Sequence, residues 1–311
     1  MAIISGIINK VCNSSGGSLG LNLSRGSLQS FSKPEKVIFM PRGFEFDKSS
    51  DFGEEYLDQL KLEGKIDIIS NISSSSEVGN DDNYDTKESG IEFLIQKGLY
   101  KLQFNRSQGL YSQKQLASIS GFGRFDIGLM DQNGNFLFTE TRNGSFKGFT
   151  TGEIQVGKYS MATGQSGEES MFTAQLIERN EFDEAFVYIP ECEYNGNTKF
   201  IEGVNQVRLS FVNTPAVGDT TLTFKAVLDQ DGVTNITALD DVDRLRVRIN
   251  NTVVNNNPSP TSNDGEYTVS IPALSLDDKI DAILYNTTDS QSRIMLDNNV
   301  YQSKLIQATA A

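Results

Sequence analysis

The chain contains no histidine among its 311 residues. Histidine is the most frequent general base, the usual partner of serine and cysteine nucleophiles, and the most common ligand of transition metals. Tryptophan, on which glycosidases commonly stack sugar rings, is also absent. We therefore expect a protein that is not an enzyme, with no catalytic, cofactor-binding or metal-binding residues.

Cysteines and long apolar segments are scarce. Cys12 and Cys192 are too few and too far apart for a disulfide framework, which favours free thiols in a reducing cytosol. No segment approaches the roughly 20 apolar residues of a membrane-spanning helix. The N-terminus has no basic region before its short apolar run and no clear cleavage site, so we expect neither a secretory signal nor a membrane anchor.

Three short segments resemble ligand-binding motifs only superficially. Residues 121–124 (GFGR) and 157–158 (GK) place glycine near a basic side chain, but without the spacing of a Walker A loop or a dinucleotide fingerprint. The acidic segment 81–85 lacks the alternate spacing and the final glutamate of an EF-hand. We interpret the first two as turns and the third as part of a loop.

The chain is strongly acidic, with 27 basic and 41 acidic residues and a net charge of −14. The excess is −9 in residues 1–205 (19 basic, 28 acidic) and −5 in 206–311 (8 basic, 13 acidic), so neither part is merely an acidic tail. Such a surface repels phosphate backbones and argues against ordinary nucleic-acid binding. A conduit through which DNA slides would also avoid positive charge.

Glycine is frequent (27) and proline rare (7), which suits many short strands joined by turns. Residues 1–35 are predicted as an irregular N-terminal arm. One principal helix is expected at 51–62, where Phe52, Tyr56 and Leu60 recur every four residues. The polar, acidic segment 73–90 predicts a long mobile loop between two strands.

Two Asn-Gly turns predict hairpins in the middle of the chain. The first lies within residues 131–135 and the second at 143–144, each between segments that read as strands. Residues 170–177 fit both helical and strand periods, and we favour a strand. Residues 180–186 predict one or two helical turns.

From about residue 206 the chain changes to regularly spaced, alternating segments. About seven short strands in roughly 100 residues are typical of a β-sandwich. In Arg244–Ile249 the arginines alternate with Leu245, Val247 and Ile249, so we interpret the arginine row as a solvated sheet face rather than a binding patch. The fold class is therefore mainly β, in two domains, residues 1–205 and 206–311.

Two resemblances extend this prediction. The strand 221–228, the Asp231-Gly232 turn, the strand 245–249 and the segment 264–269 resemble the immunoglobulin-like modules appended to surface and virion proteins. The arm, β-rich body, single helix and long loop of residues 1–205 resemble the tail tube proteins of long-tailed bacteriophages in layout, without a diagnostic motif. This implies a β-sandwich or barrel-like tail tube domain followed by an immunoglobulin-like β-sandwich.

The tail tube resemblance implies a virion structural protein that is assembled in the host cytoplasm. Its subunits form stacked homo-oligomeric rings, hexameric in that family, whose loop and arm bridge successive rings. Other tail proteins are then partners, DNA passes without specific binding, and the immunoglobulin-like domain projects outward. Two alternatives remain open: a capsid or capsid-decoration protein, and a surface adhesin or carbohydrate-binding module.

Overall fold

The fold is mainly β, as predicted. The structure is a computed structural model that describes residues 31–46, 52–79, 82–86, 92–96, 98, 100–107, 109–163, 167–183, 185–189, 201–287 and 290–311. Residues 1–30 of the predicted arm, both cysteines and Asp81 lie outside the described residues.

Strands outnumber helices throughout the described part of the chain. The three helices are α1 (Glu54–Leu62), α2 (Leu110–Ile119) and α3 (Arg179–Asp183). The strands of the first part are β1 (Pro34–Pro41), β2 (Asp67–Ile69), β3 (Ile72–Glu77), β4 (Asn83–Thr86), β5 (Glu92–Gln96), β6 (Tyr100–Arg106), β7 (Gly121–Phe122), β8 (Phe125–Asp131), β9 (Phe136–Glu140), β10 (Phe146–Lys147), β11 (Phe149–Val156), β12 (Ser170–Leu176) and β13 (Phe186–Ile189). Those of the second part are β14 (Asn205–Phe211), β15 (Thr221–Leu228), β16 (Leu245–Ile249), β17 (Thr252–Val254), β18 (Ser259–Pro260), β19 (Glu266–Ser270), β20 (Lys279–Leu284), β21 (Arg293–Leu296), β22 (Asn299–Ser303) and β23 (Ile306–Thr309).

The chain divides into two compact units. The first consists of Met1–Leu57 and Lys65–Glu202, and the second of Asp58–Gly64 and Gly203–Ala311. The change from one unit to the other therefore falls at residues 202–203, and the end of α1 is grouped with the second unit.

The strands of the first unit close into a barrel-like ring. Hydrogen-bonded pairs run in the order β1, β8, β11, β12, β6 and β3. Strand β3 follows β2 after only Ser70 and Asn71, and β2 pairs back to β1, which completes the ring. Asn71 adopts φ 61°, a left-handed conformation that asparagine tolerates better than most residues. Asn71 turns the chain between β2, which pairs with β1, and β3, which pairs with β6.

Two apolar clusters lie on opposite sides of this wall. Inside the ring, alternate residues of the strands and Leu116 of α2 form one buried cluster. On the outer side, five phenylalanines pack ring against ring: Phe46, Phe52, Phe136, Phe138 and Phe146. All five are at most 2% exposed. Strand β9 separates the clusters, because Leu137 belongs to the inner cluster while its two phenylalanine neighbours belong to the outer one.

Both Asn-Gly hairpins are confirmed. The first joins β8 to β9, and the second joins β9 to β10. Gly134 and Gly144 have φ of 86° and 69°, the left-handed region that these turns require. In the first turn the buried carboxylate of Asp131 accepts hydrogen bonds from the backbone N–H groups of Asn133 (2.8 Å) and Asn135 (2.9 Å), which stabilises the turn.

The helix prediction was incomplete. Helix α1 is confirmed within the predicted range 51–62, with Phe52 preceding it. The expectation of one principal helix was wrong, because α2 has ten residues against nine in α1. Gly109 caps α2 without a side-chain hydrogen bond, the first turn has no acidic residue, and only Ser112 and Leu116 are buried. The usual sequence signals of a helix start and an apolar face are therefore weak.

The predicted loop 73–90 was also partly wrong. Residues up to Glu77 form β3, which pairs with β6, and Asn83–Thr86 form β4, which pairs with β5. Serine side chains replace an apolar face here. Ser73 Oγ donates to the backbone carbonyl of Asn105 (2.9 Å), and Ser74 Oγ accepts from the side-chain Nδ2 of Asn105 (3.0 Å). Backbone pairing is thus supported by polar contacts that a hydrophobicity pattern does not reveal.

The second unit is a β-sandwich. One sheet has the order β18-β19-β15-β14-β22-β21 and the other the order β17-β16-β20-β23. Alternate residues of both sheets form a single buried core, which includes Phe224, Val247 and Ala282. Strand β15 has the predicted bounds, and the strand predicted at 170–177 is confirmed as β12. The described residues contain no helix long and apolar enough to cross a membrane.

Candidate functional site

Buried charges in the first unit serve the fold. Arg106 donates from Nε to the carbonyl of Ser70 (2.9 Å) and from Nη1 to Ser112 Oγ (2.5 Å), which joins the β2–β3 corner to α2. Burial lowers the pKa of Arg106 to about 10. In a second set of contacts, Glu181 of α3 accepts hydrogen bonds from the Thr150 N–H (2.7 Å) and from Lys147 Nζ (2.9 Å). These contacts fasten two of the helices to the strands.

Asp126 is the buried carboxyl group with a perturbed titration. It is 0% exposed, and its Oδ2 accepts a hydrogen bond from the N–H of Gly43 (2.7 Å). Burial raises the pKa of the Asp126 carboxyl, although the Gly43 hydrogen bond and the charge of Lys147 oppose the change. The group lies in a fully packed wall, so we assign it a structural role.

The raised pKa predicts a pH-dependent effect of Asp126→Asn. The wild-type carboxyl contributes stability below its unfolded pKa, and this contribution is lost as pH rises through the folded pKa. The amide does not titrate, so the free energy of unfolding of the variant relative to wild type should increase from pH 3 to pH 8. Urea unfolding of both proteins across this range measures the difference. A difference that stays constant with pH would contradict the assignment.

Within the described ranges, no group of three or more histidine, cysteine, aspartate or glutamate side chains is arranged to hold a metal ion. Of the acidic segment 81–85, Asp82 is engaged in contacts with the protein. Its Oδ1 accepts hydrogen bonds from the N–H of Gly98 (2.7 Å) and from Arg179 Nη1 (3.0 Å). Asp82 therefore acts as an anchor for the segment that follows it.

That segment is a separate two-stranded hairpin, β4–β5, and is the first candidate site. Asn83 pairs with Gln96, and Asp85 with Phe93, with a bulge between the first two residues of β4. Neither strand has a second strand neighbour among the described residues. The side chains of Asn83, Tyr84 and Asp85 are exposed, with Tyr84 at 52%. The hairpin thus presents free backbone edges on both sides.

The base of this hairpin is held to the rest of the first unit by contacts of Arg179. Arg179, whose guanidinium bonds to Asp82, lies on α3, and its Cζ is 5.6 Å from the centroid of the Tyr100 ring on β6. Ionic and cation–π contacts therefore fix the point where the hairpin leaves the barrel. The strands beyond Asp82 have no such support in the described structure.

The second candidate site is the outer face of the four-stranded sheet in the second unit, which we call the arginine face. It comprises Arg246, Arg248, Asp281, Ile283, Tyr285 and Gln307. The intervening residues Leu245, Val247 and Ala282 are buried in the core, so the predicted alternation of the arginine row is confirmed. The arginines themselves are half-buried rather than fully solvated.

Across this face, a row of polar contacts connects three strands. Asp281 is opposite both Arg248 and Gln307 in the register of the sheet. Its Oδ2 accepts from Arg248 Nη2 (2.9 Å), and its Oδ1 accepts from Gln307 Nε2 (2.9 Å). Both carboxylate oxygens are therefore engaged, and the negative charge is neutralised within the row.

Beside this row, Arg246 stacks on an aromatic ring. Its Cζ lies 3.3 Å from the centroid of the Tyr285 ring, while Ile283 is its direct cross-strand neighbour. No hydrogen-bond acceptor for Arg246 is found among the described residues, and its buried Nε has no partner there. The alternation of the arginines could be read from the sequence. Their partners could not, because Asp281 comes from β20, Tyr285 directly follows that strand, and Gln307 comes from β23.

Comparisons with known proteins identify no family. No family model matches the chain, and no curated protein matches it. Among solved structures, the chain has a similarity to SGBP-B of the Bacteroides ovatus mixed-linkage glucan utilization locus, in complex with a mixed-linkage heptasaccharide. The identity is 10% and the TM-score 0.19, over 77% of this chain and 62% of that one. The chain thus spans less than two thirds of that structure, and a TM-score this low supports no conclusion about fold or function.

Proposed function

We propose that this chain is a self-assembling virion structural protein, a tail tube subunit that forms stacked rings around a DNA conduit. The observation that carries the proposal is the β4–β5 hairpin, which is anchored at Asp82 but has free edges on both strands. Its first strand lies within the loop 73–90, which the tail tube resemblance assigns, together with the N-terminal arm, to contacts between successive rings. The β-sandwich of the second unit would project outward from the ring.

The hairpin is too small to be stable by itself. Isolated two-stranded hairpins are marginal in water, and independent stability generally needs a third strand or an apolar face packed on another element. Here one strand has four residues and the other five, and the side chains of Asn83 to Asp85 face solvent. Pairing of a free edge with a strand of another chain would supply the missing hydrogen bonds.

A second copy of the same chain is the proposed partner, because the first unit also offers an acceptor edge. Strand β13 pairs with β9 on one side, and no described strand pairs with its other side. A hairpin with free edges and a strand with one open side, such as β13, can join into one sheet when repeated around a ring. Such backbone pairing does not require opposite charges, so two acidic copies can use it.

The acidity of the chain fits the conduit. A net charge of −14, with −9 in residues 1–205, disfavours adhesion of a phosphate backbone to the assembled subunits. DNA would pass without specific binding, and the remaining partners would be other tail proteins. Assembly would take place in the host cytoplasm and the mature protein would reside in the virion.

Negative-stain electron microscopy and mass photometry over a concentration series test the proposal. We expect a monomer in dilute solution, and rings or hollow tubes with outward knobs as the concentration rises. The ring order, six in the family that the chain resembles, can be counted in end-on views. A chain that remains monomeric at every concentration would overturn the proposal.

A further inference from the structure

We propose that the arginine face is a binding site for a carboxylate-bearing saccharide, in which Arg246 binds the carboxylate. This inference concerns the second unit and does not depend on the assembly of the chain. It rests on the exceptional state of one guanidinium and on the composition of the sheet face around it.

Arg246 differs from the other four arginines of residues 206–311. Each of those donates at least one hydrogen bond within the protein: Arg208 to the carbonyl of Gly232, Arg244 to that of Ala238, Arg248 to Asp281 and Arg293 to Gln302. Among the described residues, Arg246 has only the Tyr285 ring, although residues 206–311 contain 13 acidic residues. Its charge is partly desolvated without an anion to compensate it.

The stacking orients this guanidinium for one kind of ligand. A guanidinium held flat against an aromatic ring has one face covered, and its terminal nitrogens remain in a fixed plane. Two parallel N–H groups in such a plane match the two oxygens of a carboxylate. Tyr285 thus pre-organises Arg246 for a bidentate contact, which reduces the entropy that binding costs.

The neighbouring row suits the hydroxyl groups of a sugar. Arg246 and Arg248 are two residues apart on β16, which places their rows about 6.7 Å apart, roughly the width of one sugar ring. Because Asp281 is already neutralised by Arg248 and Gln307, it does not repel an incoming carboxylate. Gln307 is exposed and leaves its amide oxygen for a hydroxyl, while Ile283 gives an apolar surface beside Arg246 in the same row.

A saccharide is favoured over an acidic peptide because the site lies on a sheet face. An extended peptide binds to a sheet by pairing its backbone with a free edge. The face of the β16–β20–β23 sheet offers side chains, since β16 and β20 lie inside the sheet with a strand on either side and expose no free edge. Side-chain forks and amides on a flat face recognise hydroxyl and carboxylate groups, so we assign the ligand to the uronic acid class.

Calorimetric titration of the full chain with a galacturonic acid pentamer, and with its methyl ester, tests this assignment. We expect the acid to bind and the ester, which lacks the charge, to bind at least about tenfold more weakly. Arg246→Gln should weaken binding of the acid by a similar factor, and Arg246→Lys should do so less, because it keeps the charge but loses the fork. Arg208→Gln, on a strand of the opposite sheet, is the matched control and should stay within about twofold of wild type.

The alternative outcomes are distinct. Equal binding of acid and ester would show that the carboxylate is not recognised, and wild-type affinity in Arg246→Gln would exclude the proposed residue. Absence of binding of the acid up to millimolar concentration would overturn the uronic acid assignment. None of these results would affect the assembly proposal, which is tested by microscopy.

Discussion

A chain in which residues 83–96 are replaced by a short Gly-Ser linker is expected to remain monomeric at concentrations where the wild type forms rings. The replacement removes both free edges of the β4–β5 hairpin, through which we propose that copies pair. Because the lost contacts are repeated at every subunit interface, the concentration needed for assembly should rise by at least about tenfold, which corresponds to about 1.4 kcal/mol per contact. Mass photometry and negative-stain microscopy provide the measurement.

The same variant must be shown to fold. The hairpin is not one of the six strands that close the barrel, so hydrogen-exchange protection of the β8 and β9 amides should equal that of the wild type. Asp82→Ala is the milder companion variant, since it keeps the hairpin but removes the acceptor for Gly98 and Arg179. It should assemble at an intermediate concentration. Rings formed by the linker variant at the wild-type concentration would exclude the hairpin as the assembly element.

Much of the fold could be predicted where local chemistry determines it. The Asn-Gly turns at 133–134 and 143–144 were identified because glycine readily adopts the positive φ that short hairpin turns need. The bounds of β15 follow from alternation between its flanking turns. These features depend on neighbours in sequence, so one chain is sufficient to find them.

The missed elements depend on contacts between distant residues. Strand β3 is rich in serine, and its pairing is supported by Asn105 on β6, about thirty residues away. Helix α2 has a glycine cap and little apolar surface, and is positioned by Arg106 and the inner core through Ser112 and Leu116. Neither context is visible in a local pattern of hydrophobicity.

On the arginine face too, some features follow from neighbours in sequence and others from distant residues. Alternation placed Arg246 and Arg248 on the outer side of a strand, and the structure confirms that placement. Whether such a row is merely solvated or forms a site depends on the residues opposite it. The register of β16 with β20 places Asp281 against Arg248 and brings Tyr285 diagonally next to Arg246. Register between strands separated by about thirty residues could not be derived from the sequence alone.

The outer phenylalanine cluster leads to the second large expected effect: Phe138→Ala should destabilise the first unit by about 3–5 kcal/mol. Phe138 lies at the centre of the cluster, with ring centroids 4.9 Å from Phe46 and 5.3 Å from Phe146. The backbone of Gly128 also packs so closely that a Cβ there would lie 2.3 Å from the Phe138 ring. With neighbours fixed in this way, the space left by truncation cannot close, and the cavity cost adds to the lost burial.

Phe186→Ala is the matched control for this variant, because Phe186 lies on β13, which pairs with β9, but is 42% exposed. Phe186→Ala should cost no more than about 1 kcal/mol, because removing a ring that is exposed to solvent leaves little or no cavity. Urea unfolding monitored by hydrogen exchange of the β8 and β9 amides separates the first unit from the second. If both variants lost equal stability, the cluster would not be a packed core, and the outer wall of the barrel would have to be stabilised by other contacts. A large loss confined to Phe138→Ala would instead show that the cluster outside the ring contributes to the stability of the first unit.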